Sequence, residues 1–413
     1  MIEVTAGLGR SSIIRAVLAM SATIASHRRA RPADDRPSLR AGAAPARVAA
    51  LDGLRGLMMI FVLFSHYVAE VPHGLGFLAV GWVAVIVFFV LSGFLVGRLI
   101  IDKREAGNFL LVFYLRRVCR TFPTYVLTVA LVLLIVGWLD GRPWVHGDEP
   151  LPTWSYFAFV QNLFFLARQS FGQHWLSPTW TLALEEQFYL VAPIVFLAAP
   201  RRLWVPVLLG LCGTGLAVRT CGILTGTLGF APLALMPASL DVLCAGLLLA
   251  ALVRNNSIDW PRWSLQLRVA PILLLLAVAG LQRLDGGVVG PRFQVLGPGL
   301  MAVAAGLLIL MLIEGAPEAR RFRSPLLAFF GRISYSVYLT HLPVLGLMHG
   351  LLLDAEPDIR TPAQMAVTAA SAVLTIALSY GLTHLLEEPI QAWARRLCWS
   401  PVGSAEACSK VAH

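Results

Sequence analysis

The sequence predicts an all-α fold, a polytopic membrane helix bundle with about ten transmembrane helices and both termini cytoplasmic. Three observations lead there. The 413 residues are 57% hydrophobic and only 14% charged, with a mean hydropathy of +0.73. A soluble domain carries about 45–50% apolar and about 25% charged residues. The second observation is the recurrence of apolar runs of helical length, and the third is the sidedness of the basic residues.

The apolar runs fall at 51–71, 78–100, 121–139, 180–199, 203–218, 233–253, 269–281, 294–314, 333–352 and 363–386. Most approach the roughly 20 residues that cross a hydrocarbon core, and the short run at 269–281 is expected to extend a turn at either end. The stretch 152–167 is apolar but short, and it carries Gln161 and Asn162, which suits a re-entrant or interfacial piece. With ten crossings and the N-terminus inside, 27 of the 33 lysines and arginines fall on the cytoplasmic side. Counting 152–167 as a further span would invert every later loop and spoil that asymmetry. The net charge of +10 then marks cytoplasmic loops, and no nucleic-acid partner is expected.

Residues 1–48, rich in Arg, Ala and Ser with the run RRARPADDRPSLR, read as a disordered cytoplasmic extension. Residues 49–390 read as one membrane domain and 391–413 as a short cytoplasmic tail. The six cysteines (Cys119, Cys212, Cys221, Cys244, Cys398, Cys408) form no CxxC pair and no metal-ligand cluster, so they read as free thiols.

The first span, LDGLRGLMMIFVLFSHYVAEV, holds Arg55 at its entrance and His66 near its middle. Eleven positions at about 100° each bring both side chains to one face, roughly 16 Å apart along the axis. Asp52 lies one turn before Arg55. An ionisable group inside a span is a functional hypothesis by default. A neutral imidazole suits general-base work near pH 7, although a histidine can equally bridge two helices by a hydrogen bond.

Other polar clusters punctuate the later spans. SPTWTLALEEQFYLVAPIVF places Glu185, Glu186 and Tyr189 in a helix entering from outside, with the two carboxylates near the depth of His66. They could orient His66, or form a structural pair lining a wet cavity. FYLRRVCRTFPTY sets Arg116, Arg117 and Arg120 at the inner entrance of the third span. That is a positive-inside anchor, or a cradle for an anionic ligand bearing phosphates. Ser92 sits mid-span beside Gly93, where small residues permit close helix approach. GRISYSVYLTHLPV puts Ser334, Tyr335, Tyr338 and His341 in the inner half of the ninth span, and Asp241 is an isolated acid in its own span. Glu387-Glu388-Pro389 reads as an interfacial stop. Trp144, Trp154, Trp175 and Trp180, in or beside the long external loop, could stack on sugar rings or anchor the interface.

Taken in order, LDGLRG…FSHY, GWVAVIVFFVLSGFLVG, FYLRRVCRTFPTY, WTLALEEQFYL, SLDVLCAG and GRISYSVYLTHLPV resemble the bacterial acyltransferase-3 family of integral membrane O-acyltransferases. The likeness runs from residue 51 to about 390 and leaves out the N-terminal extension. It implies ten helices and transfer of an acyl group, commonly acetyl from acetyl-CoA, to a hydroxyl of a sugar or other acceptor. The family's Arg–ten residues–His pattern falls on Arg55 and His66, its Arg-x-x-Arg pattern on Arg117 and Arg120, and its carboxylate motif on Glu185 and Glu186. The family usually has Ser-Leu-Ser or similar after the tryptophan; here TLAL follows Trp180. Some members carry a C-terminal esterase-like domain, and none is expected in the short tail here.

The resulting expectation is an enzyme of the bacterial inner membrane with no permanently bound cofactor and acyl-CoA as donor substrate. The CoA phosphates would rest on the cytoplasmic arginines, chiefly Arg117 and Arg120 with Arg116 beside them. Arg55 would guide the pantetheine end. His66 would deprotonate the acceptor or carry the acyl group, and Glu185 or Glu186 would fix its tautomer or line the acceptor path. The acceptor would be a surface polysaccharide, a glycolipid or another glycosylated molecule. Two other readings stay open: an acyltransferase acting on a small intracellular glycoside, and a proton-coupled transporter or flippase with His66, Asp241 and the glutamates as a relay. The spans show no internal repeat of the kind many transporters have.

Overall fold

In a computed structural model, residues 49–400 are described except 77–79, 146, 148, 229–231 and 256–259. The expectations for residues 1–48 and 401–413, Cys408 among them, lie outside the described residues. Among those described, ten helices are long and apolar enough to cross a membrane, as the apolar runs predict.

The main elements are α1 (Ala49–Phe64), α2 (Gly81–Lys103), α3 (Phe109–Trp138), the short α4 (Thr153–Phe157) and α5 (Gln161–Arg168), and α6 (Trp180–Ala198). They continue with α7 (Trp204–Leu224), α8 (Leu240–Asn255), α9 (Trp260–Asp285), α10 (Pro291–Ile313), α11 (Pro325–Leu353), α12 (Pro362–Leu382) and α13 (Glu388–Arg395). The pairs α1–α11 and α2–α8 form the most extensive packings, joined by α9–α10, α11–α12 and α7–α8. Glycine is what lets α2 and α8 touch. A Cβ on Gly246 would lie 2.0 Å from the Val90 carbonyl oxygen, and one on Gly93 would lie 2.4 Å from that of Leu243. Interhelical contact this close needs small residues.

Boundaries differ from expectation at several places: α7 runs on to Leu224 past 218, α9 begins at Trp260 well ahead of 269, and three further differences have local reasons. The third span starts at Phe109 rather than residue 121, because its amphipathic first turns carry the arginines on a helix face and Pro123 lies inside the helix. The ninth starts at Pro325, where proline at the first helical position suits a helix start. Glu387 and Glu388 do not stop the last span: it passes through a π-helical turn, Thr383–Glu387, into α13. Glu387 is buried and accepts from the Ser336 hydroxyl, while Glu388 pairs with Arg332 at 2.5 Å.

The 152–167 stretch is α4 and α5, too short to cross. Gln161 and Asn162 pin it to the segments just ahead of α6 and α8. Gln161 Nε2 donates to the Thr179 carbonyl at 3.0 Å, and Asn162 Nδ2 to that of Ala234 at 2.8 Å. Both buried amide nitrogens thus find acceptors, while the Gln161 Oε1 is left without a hydrogen-bond partner among the described residues.

Candidate functional site

The inward stripe of α1 is Arg55, Met59, Val62, His66 and Glu70, spaced at four, three, four and four residues. It lines two cavities that abut. Arg55 and Met59 border one of about 140 Å³, together with Ser92, Arg117, Arg120, Glu185, Glu186, Tyr189, Ser334, Tyr335 and Tyr338. Val62, His66 and Glu70 border the other, of about 500 Å³, with Trp82, Trp144, His174, Trp175, Trp180, Tyr338 and Glu356. The shared face expected for Arg55 and His66 is present, but each serves its own cavity.

The order of lining residues along each helix shows that the cavities open toward opposite ends of the bundle. On α1 and α11 the arginine-rich cavity is lined by residues that precede those lining the aromatic cavity, and on α2 and α6 by residues that follow them. The aromatic cavity takes the other end of α1, α2, α6 and α11. Val85, Thr181 and Tyr338 belong to both. The Tyr338 hydroxyl donates to the Pro178 carbonyl at 2.8 Å and lies 2.6 Å from Thr181 Oγ1, so this polar wall divides them.

In the arginine-rich cavity, the Arg117 guanidinium lies 4.4 Å over the Tyr189 ring. The Tyr189 hydroxyl donates to Glu185 at 3.0 Å and also contacts Ser92. Three guanidinium groups and two carboxylates leave an excess of positive charge when all are ionised, which favours an anionic visitor. Arg116 departs from the expected phosphate cradle. Its guanidinium donates to the Leu397 carbonyl at 2.7 Å and lies 5.0 Å over Trp399, tying α3 to the segment after α13. Arginines at neighbouring helix positions point apart, and only Arg117 and Arg120 reach the cavity.

In the aromatic cavity, His66 Nδ1 is 3.0 Å from the Glu70 carboxylate. A carboxylate only accepts, so Nδ1 carries the proton and the neutral ring keeps its lone pair on Nε2. Sequence reasoning missed Glu70, which follows His66 by one helical turn. The signal was the i, i+4 spacing. Burial raises the Glu70 carboxyl, but the hydrogen bond and charge of His66 outweigh that and hold it below the usual glutamate value. Glu185 and Glu186, one expected source of the tautomer lock, line the other cavity instead. The reason is depth: α6 begins at Trp180, beside the aromatic cavity, and its next turns carry the glutamates past the dividing wall.

The remaining candidates divide. His341 lies beside His66, with ring centres 5.0 Å apart. Starting at Pro325, α11 places it about 24 Å along the axis. Asp241 is not isolated: Arg219, fully buried on α7, grips it with two hydrogen bonds of 2.6 and 2.7 Å. Arg219 therefore leaves the set of external loop residues, and Asp241 is engaged away from any relay through His66. Asp52 borders neither cavity; its backbone packs against Gly331 of α11. Trp144, Trp175 and Trp180 line the aromatic cavity, whereas Trp154 is exposed outside it. No cluster of three or more His, Cys, Asp or Glu among the described residues could hold a metal ion.

Comparison with known proteins now bears on this geometry. A family model described as an acyltransferase domain matches residues 48–384. A protein of Staphylococcus aureus strain COL, provisionally named as an O-acetyltransferase, is 22% identical over 340 residues, covering 74% of this chain and 52% of its own. The O-acetyltransferase OatA of the same strain is 30% identical over 158 residues, covering 37% of this chain and 25% of its own. The chain thus spans about half the length of the first of these relatives or less. No solved structure matches.

Proposed function

The chain belongs to the acyltransferase-3 family, and from that membership we propose that it is a membrane O-acyltransferase. It moves an acyl group, acetyl by analogy with the relatives' names, from acyl-CoA to a hydroxyl of a surface polysaccharide, glycolipid or other glycosylated acceptor. Its setting is the bacterial cytoplasmic membrane, with both termini and the arginine-rich cavity on the inner side.

The observation that carries this reading is the pair of cavities meeting at Tyr338 and Thr181. A volume of about 140 Å³ is too small for a whole CoA. The pantetheine arm and thioester enter it, while the phosphates stay at its mouth near the exposed Arg120. Arg117 and Arg55, which line the cavity, donate hydrogen bonds to the amide carbonyls of that neutral arm. The larger cavity, walled by Trp144, Trp175 and Trp180, accommodates a sugar-sized acceptor against aromatic faces.

The chemistry follows from the His66 tautomer. Nε2 takes the proton of the acceptor hydroxyl as its oxygen attacks the thioester carbon. Glu70 stabilises the imidazolium through Nδ1–H. When the C–S bond breaks, His66 returns that proton to the departing sulfur. Protons balance, and no covalent enzyme intermediate is needed. The test is purified protein with labelled acetyl-CoA and a panel of oligosaccharide acceptors. Label on an acceptor with wild type and none with His66→Ala supports the assignment. Equal labelling by both removes His66 from the chemistry.

A further inference from the structure

Among the buried titratable groups that the transfer just described leaves unused, one stands beside His66. His341 is fully buried on α11. Its Nδ1 lies 2.8 Å from the Tyr338 carbonyl and 3.1 Å from that of Val337. Both partners only accept, so Nδ1 holds the proton and Nε2 a lone pair. Among the described residues that Nε2 has no hydrogen-bond partner and no solvent. An unpartnered buried acceptor is unfavourable, and persists where a donor visits it.

The neighbouring donor is His66, whose ring centre is 5.0 Å away, a separation that leaves room for one N–H···N bond. In the resting state Glu70 fixes the His66 proton on Nδ1, so both Nε2 atoms carry lone pairs and cannot bond. Protonation of His66 at Nε2 supplies the missing donor. The Tyr67 hydroxyl, beside His66 in sequence, donates to the His341 carbonyl at 2.9 Å and keeps the two helices in register.

We propose that His341 is a positioning residue whose bare Nε2 accepts the Nε2–H of protonated His66, holding that proton near the reacting atoms until the leaving group takes it. The proposal rests on His66 acting as the base. His341 itself gains and loses no proton: the O–H bond of the acceptor breaks, the proton resides on His66 Nε2, and the S–H bond of the released thiol forms. The other titratable groups facing His66 across the cavity are Glu70 from its own turn, Tyr338 from α11, His174 ahead of α6 and Glu356 after α11.

The test follows histidine titration, which needs no turnover. Full-length protein in lipid nanodiscs, labelled with ¹⁵N-imidazole histidine, gives the His66 signal by comparison with His66→Gln. In His341→Phe the His66 midpoint should fall by about one pH unit, the scale of one lost hydrogen bond to a charged group. His341→Gln, which keeps an acceptor oxygen, should fall less. An unchanged midpoint in a folded His341→Phe overturns the proposal. Wild type supplies a check free of folding risk: the His341 Nε2 signal should be unprotonated in type and should move as His66 titrates. An Nε2–H signal at every pH overturns it. Failure of acetyl-CoA turnover with these titrations intact would count against the proposed function alone.

Discussion

Glu70 accepts a hydrogen bond from His66 Nδ1 at 3.0 Å, across a π-helical turn, Ser65–Ala69, that ends α1. The turn is closed by Glu70 N–H donating to the Ser65 carbonyl at 2.7 Å. Glu70→Gln should therefore lower kcat by about 10²-fold with little change in KM, because the tautomer is no longer enforced. His66 must be neutral to act as the base, and it holds the Glu70 carboxyl below its usual value, so Glu70 stays ionised wherever the base is active and the deficit of Glu70→Gln should persist across the active pH range. A kcat–pH profile of the two proteins checks both points, and an unchanged kcat in Glu70→Gln would separate Glu70 from the reaction.

Arg116 and Arg117 are neighbours in sequence with different tasks. Arg117→Gln should raise the KM for acetyl-CoA by about tenfold while leaving kcat near wild type, as expected for a donor contact made equally in ground and transition states. Arg116→Gln should leave that KM unchanged and lower the thermal midpoint, since it loses the Leu397 carbonyl and the Trp399 ring. Steady-state kinetics with a melting curve distinguishes the pair. The reverse pattern would exchange their roles.

Arg219 and Asp241 form a buried pair whose halves need one another. Arg219→Met should destabilise the bundle by about 3–5 kcal/mol, because it leaves a carboxylate unpaired. The double variant with Asp241→Leu should recover much of that loss. Thermal unfolding in detergent reads both, and simple additivity of the two single losses would contradict the pairing.

On the aromatic-cavity end, Asp358 receives the Ile359 N–H at 2.7 Å and Arg360 Nε at 2.9 Å, and sits 3.0 Å from His73 Nδ1. Burial raises its carboxyl, but these donors together hold it below the usual aspartate value. Its stabilising effect is thus present above the ordinary aspartate range and lost as pH falls through the depressed value. Asp358→Asn should lower the melting midpoint by a few degrees at neutral pH, and the gap to wild type should close in strong acid. A gap that persists there would contradict this.

Much of the fold was legible because hydropathy and length suffice to count helices in a bilayer. The shared face of Arg55 and His66 could be read from spacing, because α1 stays regular up to the π-helical turn that carries His66. What could not be read arose from contacts between distant segments. Glu70 carried no signal beyond its spacing from His66, and its place at the edge of the aromatic cavity comes from packing between distant segments. Arg219 looked like a loop residue because its span was cut short at residue 218, before the charge that Asp241 neutralises. Glu185 and Glu186 reached a plausible depth, but axial position does not reveal on which side of the Tyr338–Thr181 wall a side chain falls. Arg116 differs from Arg117 only in the face it takes, which the neighbouring tail decides.

The central claim is that an acyl group passes between the two cavities. The direct measurement uses sealed vesicles in which the arginine-rich cavity faces outward, with labelled acetyl-CoA added outside and an unlabelled acceptor oligosaccharide trapped inside. The account predicts label on the trapped acceptor with wild type, and none with His66→Ala or when the two substrates exchange sides. Labelling only when donor and acceptor share one side would contradict it.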